Sequence, residues 1–317
     1  MPLRLGPVLQ FRGNTHGYLV SALVVLDAKD EMPAVKVEGA VASAPIAVAD
    51  IPFDTPTMRA WRIEFQVAAA AQQVRYRIAG ESGSFIAPAP GETPRIAYGS
   101  CNGYSDQKLM KAGDDHYERW RHLGGTHEKQ GYHLMLLGGD QVYSDAMWKK
   151  VPELVNWLEK PAEKRFKSAF TVAMAKKLDQ YFCGMYVERW KTPEIATVLR
   201  SIPTIMMWDD HDIMDGWGSY PDKQHNSDVY QGIFKIASRY FNLFQLQCKE
   251  GEAHPAAIPG ADGFHLGFRD LGKLSLLIPD LRSERKPQPE QVISQPSWNA
   301  IYAWMEASAA AEKGHLL

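Results

Sequence analysis

A chain of 317 residues, 45% hydrophobic and 23% charged, has room for a large buried core and for roughly two average domains. Its formal net charge of −2 argues against a nucleic-acid or anionic-membrane surface as the main partner. Three widely spaced cysteines, Cys101, Cys183 and Cys248, form neither a disulfide framework nor a Cys-x-x-Cys metal pair.

The first residues, Met1-Pro2-Leu3-Arg4-Leu5-Gly6-Pro7, lack the basic region and apolar segment that export requires. Gly17 to Leu26 is apolar but too short to span a bilayer, and its β-branched content reads as a strand. The expectation is a protein of the reduced cytoplasm. Residues 1–92 predict a β-sandwich: short runs at Tyr18–Leu26, Val35–Val37, Ala60–Ala68 and Gln73–Ile78 are separated by turn residues. The Pro-rich stretch Ala87-Pro88-Ala89-Pro90-Gly91-Glu92-Thr93-Pro94 is the natural boundary to a second domain over 93–317.

That second part alternates strands and helices. Arg95–Tyr98 predicts a strand ending in Gly99-Ser100-Cys101-Asn102-Gly103, followed by a helix near Asp114–His122. His116, His122 and His127 share no compelling face and read as solvated rather than ligating. Leu134-Met135-Leu136-Leu137 is continuously apolar, as in a strand buried on both faces, and runs through Gly138-Gly139 into Asp140-Gln141-Val142-Tyr143-Ser144-Asp145. Residues 151–200 read as helical, with Cys183 as packing. Ser201–Trp208 predicts a third strand, and Asp209-Asp210-His211-Asp212-Ile213-Met214-Asp215 follows it. Four carboxylates and an imidazole in seven residues are costly to gather unless a cation neutralises them. Asn226–Gln247 reads as one long helix, Phe264–Phe268 and Lys273–Ile278 as paired strands ending in a fourth polar loop, and Ser297–Glu312 as a last helix.

Strands that shed ligand-type residues at their carboxyl ends describe an α/β layered domain with one site. Thiolate and phenolate suit ferric iron, whereas carboxylates suit Ca²⁺, Mg²⁺ or Mn²⁺. Asp140, on the middle strand end, could bridge two ions, which together would clamp an in-line displacement at phosphorus. His211 has the pKa range to protonate a leaving oxygen.

Gly99-Ser100-Cys101, Gly139-Asp140-Gln141-Val142-Tyr143, Trp208-Asp209-Asp210-His211-Asp212 and Asp280-Leu281-Arg282-Ser283-Glu284-Arg285 occur in that order. Together they resemble the PhoD-type alkaline phosphatases and phosphodiesterases, members of the metallophosphoesterase superfamily, over about residues 95 to 312. The resemblance implies hydrolysis of small phosphate esters, a layered sheet with flanking helices behind a β-sandwich, and Fe³⁺ with Ca²⁺ as cofactors, Zn²⁺, Mg²⁺ or Mn²⁺ being substitutes. It implies Cys101, Asp140 and Tyr143 as iron ligands, Asp140 shared with calcium, and Asp210 as a further ligand. Asp209 and Asp215 complete the expected metal set, Asp215 standing where many relatives have Asn. His211 is carried over as the catalytic residue, with Asn102, Gln141 and Arg282 expected to face the phosphate. The family's later Gly-Asp-x-His element is missing, so the expectation is a chain truncated at its C-terminus, with an incomplete metal shell and an open sheet edge.

Two other readings stand beside this one. Gly99-Ser100-Cys101-Asn102-Gly103 has the shape of a nucleophile elbow, which would make the chain a cysteine hydrolase with His211 as base. A non-catalytic fragment that keeps the fold is the other.

Overall fold

The computed structural model describes residues 3–14, 17–52, 57–68, 73–104, 115–310 and 315–317. Ser105–Lys108, the expected helix start at Asp114 and the expected helix end at Glu312 lie outside them. Eight strands precede residue 92: β1 (Leu5–Gly13), β2 (Leu19–Asp27), β3 (Val35–Glu38), β4 (Ala40–Ala42), β5 (Ile46–Ile51), β6 (Met58–Val67), β7 (Gln73–Ile78) and β8 (Glu81–Ile86). Next come β9 (Ile96–Gly99), α1 (Glu118–Gln130) and β10 (Leu134–Leu137). A helical stretch follows: α2 (Met147–Lys150), α3 (Pro152–Leu158), α4 (Ala162–Arg165), α5 (Val172–Trp190) and α6 (Pro193–Leu199). After β11 (Thr204–Met206) come α7 (Asp210–Ile213), α8 (Asp222–His225) and α9 (Asp228–Tyr240). The hairpin β12 (Leu266–Leu271) and β13 (Leu274–Ile278), the short pair β14 (Lys286–Pro287) and β15 (Glu290–Gln291), α10 (Gln295–Ala310) and β16 (His315–Leu316) complete the chain.

One eight-stranded sheet carries the architecture, in the order β4-β6-β2-β1-β11-β10-β9, with β5 also on β6. Its first part is antiparallel, whereas β1-β11-β10-β9 is parallel. A small sheet, β3-β7-β8, faces the antiparallel part. Val74, Tyr76, Ile78 and Phe85 from it meet Leu9, Val20, Ala22, Val24, Ile63 and Phe65 across a closed core. This is the two-sheet packing expected of residues 1–92, and alternation along β7 is strict, every second residue being buried. One of its sheets does not stop at the Pro-rich connector, however. Gln10 on β1 pairs with Thr204 on β11, so the sheet runs through both sides of position 92.

The opposite face of that sheet meets the helices, with Phe11, Leu23 and Ala60 in the same core as α5 and α9. A sheet covered on both faces explains why β1 and β2 are buried almost throughout instead of alternating. Helix α9 buries Val229, Ile233, Ile236, Ala237 and Tyr240 on one stripe, at the spacing a helix of 3.6 residues per turn requires. The long helix expected over 226–247 is instead α9 followed by a π-helical turn, Phe241–Gln245. The turn has a use: it directs Gln245 Nε2 to Asp212 Oδ1 (2.8 Å) and to Tyr186 Oη (2.9 Å). Cys183 is fully buried, as a packing residue would be.

Candidate metal centre

Strands β9, β10 and β11 are parallel neighbours, so their carboxyl ends open side by side, where ligands of open α/β sheets sit. The loops beyond them are tied together. Cys101 N–H donates to Gly139 O (3.0 Å) and Asn102 N–H to Asp140 O (2.7 Å). Cys101 and Asp140 both adopt left-handed backbone conformations, φ 60° and 54°, which a side-chain-bearing residue holds only when its surroundings enforce it. The reward is position: Cys101 Sγ lies 3.5 Å from Asp140 Oδ2.

The third strand end adds Asp209 to Asp212. Asp209 caps α7 through a capping box with Asp212, whose Oδ2 accepts from Asp209 N–H at 2.9 Å. This turn brings His211 N–H to Asp140 Oδ1 at 3.3 Å. Asp140, Asp210 and His211 each offer a ligand atom, and these atoms lie within 4.8 Å of one another. Tyr143 stacks on the His211 ring with centroids 4.5 Å apart. Gly103 permits this, because a Cβ there would come within 2.5 Å of the Tyr143 ring.

Electrostatics mark the cluster as short of positive charge. Desolvation, aided by Asp209 and Asp210, raises the Asp140 pKa despite His211. Desolvation, then Asp140 and Cys101, raises that of Tyr143. The Cys101 thiol is raised as well, by desolvation first and Asp140 after it. Groups that push one another toward their neutral forms are what a bound cation would reverse. Thiol, phenol, carboxylates and imidazole also form a donor set that fits a ferric or divalent ion.

The remaining expected residues fall in different places. Arg282, in the loop after β13, bonds Asp209 Oδ1, Asp210 Oδ1 (3.2 Å) and Trp217 O (3.0 Å), so its donors are directed at the acids. Asn102 Nδ2 donates to Gln141 O (3.1 Å), and Asn102 Oδ1 accepts from Trp120 Nε1 (2.9 Å). Gln141 is buried, its Nε2 directed at Met207 O. The three residues expected to face the phosphate therefore bond within the protein. Asp215 has a side chain 75% exposed, and its Oδ1 lies 3.9 Å from His211 Nε2, at the rim of the cluster.

Sequence reasoning assigned no role to Asp145, Asp280 or Arg189. Asp145 Oδ2 lies 2.6 Å from His211 Nδ1 and its Oδ1 accepts from Asp215 N–H at 2.7 Å. That carboxylate, above all, raises the His211 pKa to about 9. Fully buried Asp280 accepts from Trp208 Nε1 (2.8 Å) and from Arg282 N–H (2.9 Å), which aims the Arg282 loop at the site. Arg189, on α5, donates to Asn102 O (2.6 Å) and Asn102 Oδ1 (2.9 Å), and so braces the Cys101 loop. Asp145 was legible as a carboxylate five residues past Asp140; Arg189 gave no signal, since it lies in an ordinary helix.

These strand-end loops all lie within the stretch that family comparison matches. The model of the family described as PhoD related phosphatase matches residues 57–310, and the chain belongs to that family. The match starts within the antiparallel part of the sheet, well before residue 95. A yeast protein from Saccharomyces cerevisiae, "Uncharacterized protein YGR266W", is 29% identical over 298 residues, covering 81% of this chain and 41% of that protein. A solved structure of PhoD aligns with TM-score 0.56 and 13% identity over 97% of this chain and 60% of that one, a likeness of fold. The chain thus spans less than two thirds of either relative. No helix among the described residues is long and apolar enough to cross a membrane.

Proposed function

We propose that this chain carries the site of a metal-dependent phosphoesterase, hydrolysing small phosphate esters by in-line attack of water on phosphorus. What supports the reading is the convergence of Cys101, Asp140, Asp210 and His211 from three separate strand ends, in a chain of the PhoD related phosphatase family. In this reading Cys101, Asp140, Tyr143 and Asp210 hold the metal, Fe³⁺ on the thiol and phenol side and Ca²⁺ or a smaller divalent ion on the carboxylate side. A cation pair held there would supply a hydroxide at neutral pH and neutralise charge growing on the phosphoryl oxygens.

The rest falls to the protein's own groups. Asp145 holds Nδ1 of His211, which leaves Nε2 to carry a proton to the departing oxygen. Stacking on Tyr143 fixes the plane of that imidazole. Arg282 keeps the carboxylates of Asp209 and Asp210 in one orientation. Cys101 is a ligand in this reading and not a nucleophile, for its sulfur faces a carboxylate and no imidazole, the reverse of what activates a thiol. The free thiol at the site suits a reducing compartment such as the cytoplasm.

Turnover of an aryl phosphate before and after chelation tests the proposal. Activity lost with chelator and restored by added metal supports it. Activity that survives chelation but not thiol alkylation supports the cysteine hydrolase, and no turnover with full metal loading supports a non-catalytic fragment. The proximity of His211 to Asp140 and Asp210 also favours a second role for its ring, as a ligand through Nε2. Metal content of His211→Ala separates the two: unchanged for the proton donor, reduced for the ligand.

A further inference from the structure

Tyr143 has a second neighbourhood. It lines an open cleft of about 640 Å³, with Tyr117, Lys150, Lys177, Tyr181 and Arg189 among its walls. Three cations line this cleft against one acid, Glu188. Among the described residues none of the three has a carboxylate partner. Lys150 makes no ion pair, and Lys177 Nζ reaches only Gln180 Oε1, at 3.5 Å. Arg189 is the most telling of them. Its guanidinium is half-buried over the Tyr117 ring (5.6 Å), and desolvation lowers its pKa. A cation withdrawn from water without an acid beside it is costly, and an incoming anion removes that cost.

The contrast with the metal cluster is sharp. Without cations the cluster is acidic and repels an anion, whereas the cleft that shares Tyr143 with it attracts one on its own side chains. Anything held there stands next to the phosphorus site, with Tyr117, Tyr143 and Tyr181 among the lining residues. We propose that this cleft is the leaving-group subsite, and that it selects phosphate esters whose alcohol carries a second anionic group. The assignment rests on the phosphoesterase reading above, but its binding component does not. Through Arg189 and Asn102, an anion in the cleft also touches the loop that carries Cys101.

The experiment compares phenyl phosphate with 4-carboxyphenyl phosphate, on the metal-loaded chain and on a Lys150→Glu/Lys177→Glu variant. The expected result is a kcat/KM ratio favouring the carboxylated ester, and a fall of about fivefold or more in that ratio in the variant. A ratio equal in the two proteins overturns the proposal, and so does an equal loss for both substrates. If neither ester turns over, the phosphoesterase reading fails, and calorimetric binding of the same two compounds still decides the cleft. Tighter binding of the carboxylated one, lost in the variant, supports the subsite, and equal binding overturns it. A circular dichroism melt of the variant distinguishes lost selectivity from lost fold.

Discussion

Cys101 and Asp140 stand at the ends of neighbouring parallel strands, share the same left-handed backbone conformation, and bring sulfur and carboxylate oxygen to 3.5 Å. Two residues 39 apart in sequence therefore form one corner of the candidate centre. The remaining donors lie against that corner, and substitutions at Gly139, Asp145 and Arg282 probe how it is held.

Gly139 precedes Asp140 with φ +121°, and a Cβ there would come within 2.5 Å of Asp209 Cβ. Gly139→Ala should therefore push the second and third strand ends apart. The expected outcome is a loss of about 1–3 kcal/mol in stability, with metal content reduced. Urea unfolding and elemental analysis of the purified variant check both parts.

Asp145→Asn removes the charge beside His211 Nδ1 while keeping its shape. Partners of this kind are worth roughly 10–100-fold when lost. Turnover of an aryl phosphate should drop by that factor while metal content is kept. The basic limb of the pH–rate profile should move to lower pH, because the carboxylate that raises the His211 pKa is gone.

Arg282→Ala leaves Asp209 and Asp210 facing each other without their shared cation. A loss of about 1–3 kcal/mol follows when a part-buried cation is removed from two acids, Asp209 being 39% exposed and Asp210 17%. Arg282→Lys should recover little of it, because an ammonium cannot reach both carboxylates and Trp217 O in one plane. Chemical denaturation of both variants gives the answer.

His254 is buried, with Nδ1 accepting from Ala256 N–H (3.1 Å), and its pKa is driven well below the usual value by desolvation, then by Arg12 and Arg62. The sign follows directly. Below about pH 6.5 the unfolded chain binds a proton that folded His254 refuses, so stability falls as pH falls. His127, His133 and His225 are lowered too and add to the same slope. His254→Asn retains an acceptor for Ala256 and should flatten the stability profile below pH 6.5, by up to about 1.4 kcal/mol per pH unit. Unfolding measured at several pH values tests it.

The candidate site was more legible than the sheet that holds it. Short apolar runs ending in Gly and Asp announce strand ends, and β9, β10 and β11 lie where those runs placed them. Strand β1 went unread because it breaks the pattern such reading depends on. Gln10 and Arg12 are buried in it, satisfied by Gln245 O and by Leu246 O (3.0 Å), carbonyls more than 230 residues away. Polar residues satisfied from so far away carry no local signature. Asp280 and Arg282 likewise read only as part of a polar loop, with Arg282 expected to face the phosphate. Only the folded chain shows Asp280 as the anchor and Arg282 as the clamp on two other acids.

The contact between Leu9 O and Thr204 Oγ1 joins positions 195 residues apart, and it sits on the strand next to the candidate centre. During synthesis β1 emerges long before its parallel neighbour β11 exists. Its final place must wait until Thr204, 195 residues after Leu9, has been made. High contact order of this kind slows folding. A ribosome-bound chain cut short of residue 204 should therefore be a better client for chaperones than one cut just beyond it.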